Sequence, residues 1–332
     1  ADVNPKFDFD LYGGFEYRNF FPTLFLEAYN LNANIEDTFS VATGRLSEII
    51  DQDINFNLTE FQLGARFEYP AGYNWRTAFV LSIYNATIKW FDPFYRIPVT
   101  FRYRYLNGRS WKVQLQVDRL RINRFRDISP GGGRFVSLFY ALEWNDFLID
   151  FDTGTGISAE VFKPYNYQKA ELDWEEYFSN PLLRSHTFAA RLRAGYIDRS
   201  VDDFFHLFAG GFVGMKGYSY YSIEGTRKVI GTFTYRLPIT RNINRQIANL
   251  YFDKLYLGLF YDYGNAWIKD KTSFNDFKRD IGVQLRLECF TNYIFPMKIF
   301  WEAVYPLERV QKNSVVYRQD WRYYFGILFT FD

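Results

Sequence analysis

Apolar residues recur at every second position along most of this chain. Nowhere does it hold a run of the ~18 consecutive apolar residues that a membrane helix needs. A period of two is the signature of a strand with two unlike faces. In residues 58–69, Phe61, Leu63, Ala65, Phe67 and Tyr69 oppose Gln62, Arg66 and Glu68. In 185–196, Phe188, Ala190, Leu192, Ala194 and Tyr196 oppose Arg191 and Arg193. In 279–290, Ile281, Val283, Leu285 and Leu287 oppose Gln284, Arg286 and Glu288. The chain closes on Tyr323, Phe325, Ile327, Phe329 and Phe331. It is therefore all-β.

Composition decides which kind of all-β protein to expect. Aromatic residues make up 22% of the 332 positions and apolar residues 48%, yet the mean hydropathy is slightly negative. A soluble protein would have to bury all those rings in one core. A barrel in a membrane turns one face of each strand to lipid and the other to a polar lumen, with aromatic girdles at both interfaces. Lipid offers the backbone no hydrogen bonds, so such a sheet must close on itself. The pattern predicts a transmembrane antiparallel β-barrel of about sixteen strands, an even number as in bacterial barrels. The expected strands cover 7–18, 23–34, 37–45, 58–69, 75–83, 99–105, 111–117, 134–144, 155–163, 167–178, 185–196, 227–238, 252–266, 279–290, 294–305 and the terminal stretch. With the chain starting in the periplasm, turns at 70–72, 107–108 (Asn-Gly, a hairpin signal) and 291–292 fall on the periplasmic side. Longer connections near 46–56, 119–133, 197–226, 266–278 and 306–318 fall outside.

Other functions are disfavoured. A formal charge of +1 supplies no field for nucleic acid. One cysteine, Cys289, and two histidines, His186 and His206, argue against disulfides and leave a metal site or cofactor unexpected. No G-x-S-x-G elbow occurs, so no lipase and no enzyme is expected. Asp150-Phe151-Asp152-Thr153-Gly154 opens like a calcium loop, but Thr155 and Val161 stand where Gly and Glu are required.

One long connection stands out. Residues 204–238 hold Gly210-Gly211, the tetrapeptide Met215-Lys216-Gly217-Tyr218, Gly225, and a strand ending Tyr235-Arg236-Leu237-Pro238. Phe260-Tyr261-Asp262-Tyr263-Gly264-Asn265 follows. Together these resemble the signature of the BamA-type outer-membrane barrels (the outer membrane protein 85 family, or bacterial surface antigens). There, a long extracellular loop 6 carries an aliphatic residue, a cation, Gly and an aromatic, and folds into the lumen. Lys216 replaces the usual Arg, and Thr234 replaces a common acid.

The resemblance implies a loop-6 latch, Met215 to Tyr218, with Lys216 paired to acids on the wall. The polar faces of the C-terminal strands offer Asp262 and Glu288 as partners; the alternative is a solvated loop lysine. It implies an outer-membrane location in a Gram-negative bacterium and a role in inserting or translocating proteins, with unfolded outer-membrane proteins as clients. The seam between first and last strands would hold Gly13, Gly14 and Phe331, the glycines weakening strand pairing. The strand pattern runs through 1–332 as one barrel domain without the strand–helix pattern of the family's periplasmic POTRA modules. The expectation is a form lacking them or a chain cut from a longer protein. A second reading is an oligomeric scaffold or lipid-organising barrel. A passive pore is third, disfavoured by the loop plug. Arg66, Arg102, Arg104, Arg191 and Arg193 either line an anion path or pair with Glu68, Asp118, Glu171 and Asp173. Arg119, Arg121, Arg124 and Arg126 are candidates to meet lipopolysaccharide or solvent.

Overall fold

The computed structural model describes residues 10–19, 21–43, 46–92, 96–121, 130–152, 158–180, 182–183, 186–268, 272–291, 295–312 and 315–329. Its strands in chain order are β1 (Leu11–Tyr17), β2 (Thr23–Thr43), β3 (Leu46–Tyr69), β4 (Tyr73–Asp92), β5 (Ile97–Arg121) and β6 (Gly132–Asp152). Next come β7 (Ser158–Ser179), β8 (Thr187–Ile197), β9 (Leu207–Phe208), β10 (Glu224–Gly225), β11 (Arg227–Thr240) and β12 (Arg245–Ile247). The last are β13 (Leu250–Trp267), β14 (Lys278–Thr291), β15 (Phe295–Pro306), β16 (Val310–Lys312), β17 (Val315–Tyr317) and β18 (Arg322–Phe329).

The main sheet follows chain order, β1-β2-β3-β4-β5-β6-β7-β8-β11-β13-β14-β15-β18, with β12 added beside β13. β9–β10 and β16–β17 form two small ladders of their own. The pairs from β7 to β18 are antiparallel, as are β1–β2 and β2–β3. By Cα proximity the chain divides into two compact units. One contains 1–68, 75–114 and 141–168; the other contains 69–74, 115–140 and 169–332. The candidate site lies wholly in the second.

Each unit exposes large apolar side chains and buries charged ones beside a small apolar core. In the first, Phe61 and Leu63 are exposed while Glu27 is buried. In the second, Phe325 and Tyr323 are 70% and 64% exposed, whereas Glu302 and Asp262 are 2% exposed. The period-two pattern thus has the expected apolar face, which is exposed, while charged side chains are among those buried on the other face.

The strand count departs from the expectation in three places. Asn107-Gly108 is no hairpin: both residues lie inside β5. A Cβ on Gly108 would meet Ser82 Oγ at 2.2 Å, so this glycine permits close approach within a sheet. Among the described residues, the expected strands 23–34 and 37–45 merge into one strand, β2 (Thr23–Thr43), and 155–163 and 167–178 into β7 (Ser158–Ser179). The expected loop at 46–56 is strand too, paired with β2 down to Thr43↔Leu46. These mergers reduce about sixteen expected strands to the thirteen of the main path. The side assignment of 119–133 also changes. The Asp118 amide donates to the Gly72 carbonyl at 2.7 Å, so the 70–72 turn and the connection after β5 share one end of the sheet.

The path terminates on β1 and β18. Gly13 and Gly14 pair with Ala28 and Glu27. A Cβ on Gly13 would meet nothing within 4 Å, and one on Gly14 only the Tyr12 side chain, so crowding does not explain them. Phe331 lies outside the described residues.

Candidate functional site: the latch between the long loop and the wall

The connection between β8 and β11 is shaped by its own backbone. Its base is the β9–β10 ladder, Glu224↔Phe208 and Gly225↔Leu207. Above it the Ala209 amide donates to the Ile223 carbonyl (2.9 Å), Met215 to Ala209 (2.7 Å) and Gly211 to Tyr218 (2.9 Å). Gly211 holds φ +90°, a conformation open to glycine at little cost. Met215 has no exposed surface and packs with Ala209, Tyr218, Ile223, Ile230, Ala266 and Val310. The aliphatic member of the tetrapeptide is therefore a core residue that ties the loop to β11 and β13.

The next three residues face the wall. Lys216 Nζ donates to Glu302 Oε2 on β15 at 2.5 Å. Its ammonium also lies over the rings of Phe212 (5.3 Å) and Phe260 (5.2 Å), a favourable cation–π setting. Its carbonyl accepts from Tyr324 Oη on β18 at 2.7 Å. The Gly217 amide donates to Asp280 Oδ2 on β14 at 2.8 Å. A Cβ at Gly217 would come within 2.7 Å of the Asp280 Cβ, so only glycine lets the backbone approach this closely. Tyr218 Oη donates to the Arg279 carbonyl (2.7 Å), with the Glu308 carboxylate 3.2 Å away. Burial pushes the Tyr218 phenol above its ordinary value of 10.0. Ser219 adds a bond from Arg322 Nη2 at 2.8 Å.

Glu302 is itself held, its second oxygen accepting from Gln284 Nε2, the residue paired with it across β14–β15. Beneath the loop is a cavity of about 360 Å³, walled among others by Lys216, Phe260, Asp262, Arg236 and Arg286.

The latch partner is Glu302, not Asp262 or Glu288. Asp262 faces Asp280 across the β13–β14 ladder and shares a side-chain hydrogen bond with it. Glu288 lies four residues beyond Gln284 on β14, about 13 Å at 3.3 Å per residue. Its electrostatic partners there are Arg236, Arg286 and Lys298. Asp280 and Glu302 were not singled out by sequence reasoning. The signal was present in the alternation, because Asp280, Gln284 and Glu288 share one strand parity.

Two of the five polar-face arginines pair with acids through their side chains. Arg191 pairs with Asp173 and Glu175, and Arg66 with Glu16 and Glu68. Arg193 instead donates to the Gly214 carbonyl at 3.2 Å, and Arg104 to Asn107 Oδ1. Glu171 takes Lys169 and Lys228, while Asp118 accepts from the Leu120 amide. In the basic run, Arg119 stacks on Tyr73 at 4.9 Å; Arg124 and Arg126 lie outside the described residues.

No family model and no curated protein matches the chain. Among solved structures it is similar to BamA from Haemophilus ducreyi lacking POTRA domains 1-3, at 10% identity and a TM-score of 0.45, over 96% of this chain and 70% of that one. It is also similar to CdiB from Acinetobacter baumannii (12% identity, TM-score 0.43) and CdiB from Escherichia coli (11%, 0.39). Each match covers 96% of this chain and 59% of the other.

Proposed function

We propose that the chain is a closed β-barrel of the outer membrane of a Gram-negative bacterium, of the BamA type, assisting the insertion or translocation of other proteins. The membrane reading rests on the exposed apolar strand faces, which water would penalise. At about 25 cal/mol per Å² of apolar surface, the exposed faces of residues such as Leu63, Phe325 and Tyr323 are stable against acyl chains and costly in water.

The observation that carries the functional reading is the anchored tetrapeptide. Each of Met215, Lys216, Gly217 and Tyr218 has its own partner in the interior or on the wall. A loop fixed so closely to β14, β15 and β18 stabilises the sheet next to its last strand. The seam itself then becomes the movable element. β1 is short and exposed along nearly its whole length, and an exposed strand edge is a template for another chain's strand.

The test is the folding of a urea-unfolded outer-membrane protein in liposomes containing the chain, beside a Lys216→Ala variant. Acceleration by the wild type that the variant loses supports the reading. No acceleration by the folded wild type overturns it. The exposed apolar faces also suit a scaffold that packs barrel against barrel with lipid or lipopolysaccharide between. For that second reading, copies must self-associate in native lipid.

A further inference from the structure

Two histidines in 332 residues made a metal site unexpected from sequence, because ligand counting looks for several imidazoles or thiols. The base of the long loop changes that reading. Asp202 caps a 3-10 turn, Asp203–Phe205, by accepting from the Phe204 amide at 3.1 Å. The turn closes with the His206 amide donating to the Asp203 carbonyl at 3.1 Å. Asp203 and His206, three residues apart, are thereby turned to the same side. The β9–β10 ladder then brings in Glu224, opposite Phe208.

His206 Nδ1 lies 3.6 Å from Asp203 Oδ1 and 3.6 Å from Glu224 Oε1. That is too long for a hydrogen bond, and this nitrogen is buried without a hydrogen-bond partner. The His206 and Glu224 side chains are 2% and 8% exposed, while Asp203 faces solvent. All three donor atoms lie within 4.8 Å of one another. Two ligands of one tetrahedral ion, held on arms of about 2.0–2.2 Å, stand about 3.4 Å apart by the same geometry. A separation too wide for a hydrogen bond is thus close to that of ligands to a common ion.

We infer that Asp203, His206 and Glu224 bind one divalent first-row transition-metal ion of the zinc class, closing the base of the loop. One imidazole with two carboxylates suits such an ion better than calcium or magnesium, which prefer oxygen alone. Lys312 completes the argument. Its Nζ lies 2.5 Å from Glu224 Oε1, the same oxygen that faces His206, and its other bond is to the Tyr221 carbonyl at 3.4 Å. Without metal, Lys312 neutralises Glu224. An entering ion takes over that oxygen and displaces the ammonium. The ion would tie the 3-10 turn to β10, and so fix the two ends of the connection that carries Lys216.

The test is calorimetric titration of the chelator-stripped full chain in detergent micelles with Zn²⁺ alone, with Mg²⁺ and Ca²⁺ as controls. Binding of one equivalent is expected, weakened by more than about tenfold in His206→Ala, a loss of the order that metal-site substitutions produce. Asp203→Asn, a change at an exposed side chain that leaves folding intact, weakens it as well. Lys312→Met tightens it, because the competing ammonium is gone. Co²⁺ in the wild type gives the intense visible bands of a tetrahedral site. No Zn²⁺ binding, binding indifferent to both His206→Ala and Asp203→Asn, or binding weakened by Lys312→Met would each overturn the assignment.

Discussion

The Lys216 ammonium and the Glu302 carboxylate meet at 2.5 Å, and the two residues are unequally shielded: side-chain exposure is 23% for the lysine and 2% for the glutamate. The pair is anchored from both sides. Gln284 holds the other oxygen of Glu302, and Tyr324 holds the Lys216 carbonyl. The loop thus engages β15 through a side chain and β18 through its backbone.

That asymmetry sets the order of effects. Lys216→Met removes the ammonium bonded to a buried carboxylate, which keeps the Gln284 amide and the more distant Arg286 charge; breaking such a buried pair costs up to about 3–5 kcal/mol. Glu302→Gln leaves a lysine that can still reach water, so it costs less. The double variant recovers part of the loss. Urea-induced release of the loop, followed by protease cleavage within 209–223, checks the ranking in a double-mutant cycle.

Gly217→Ala places a methyl 2.7 Å from the Asp280 Cβ and separates the Gly217 amide from its acceptor. The loop should become protease-sensitive while the far-UV circular dichroism of the sheet is unchanged. Asp280→Gly in the same chain removes the clash but not the lost bond, so it restores protection only in part.

Tyr218→Phe removes the bond to the Arg279 carbonyl and costs about 1 kcal/mol, the usual net worth of such a bond. The pH dependence follows from the raised phenol. Burial favours its neutral form in the docked loop, so ionisation begins in the undocked chain first. Docking keeps its full strength below the ordinary value of 10.0 and weakens as pH rises through it. Loop protection measured from pH 8 to 11 should fall in the wild type, with a smaller fall in Tyr218→Phe.

Trp301 tests the membrane reading. It sits on the apolar face of β15, 39% exposed, between Leu285 on β14 and Phe325 on β18. In a variant that keeps only this tryptophan, brominated acyl chains should quench its fluorescence strongly while aqueous iodide does not. Quenching by iodide alone would place this face in water.

Much of this was legible in the sequence. Alternation such as Phe61 to Tyr69 and Ile281 to Leu287 marked the strands and their apolar faces, because a strand in a two-faced sheet has no other way to place side chains. The loop tetrapeptide was legible as a unit for a similar reason: a close approach needs glycine at 217 and a core residue at 215. Strand ends were less legible. Asn107-Gly108 has the chemistry of a turn, but its surroundings decided otherwise, with the Ser82 hydroxyl packed where a larger residue's Cβ would stand. The Lys216 partner was missed because parity gives the face of a residue, not its height along the strand. Asp262, Glu288 and Glu302 all point inward, and register alone places Glu302 within reach.

The most direct test of the account is hydrogen exchange at the Gly217 amide, which the latch buries against Asp280. The chain in lipid nanodiscs would be compared with its Lys216→Met variant. The account predicts strong protection at Gly217 in the wild type. In the variant that protection is lost while the β13–β14 amides stay protected. Exchange in the wild type as fast as in an open loop, or protection unchanged by Lys216→Met, would contradict it.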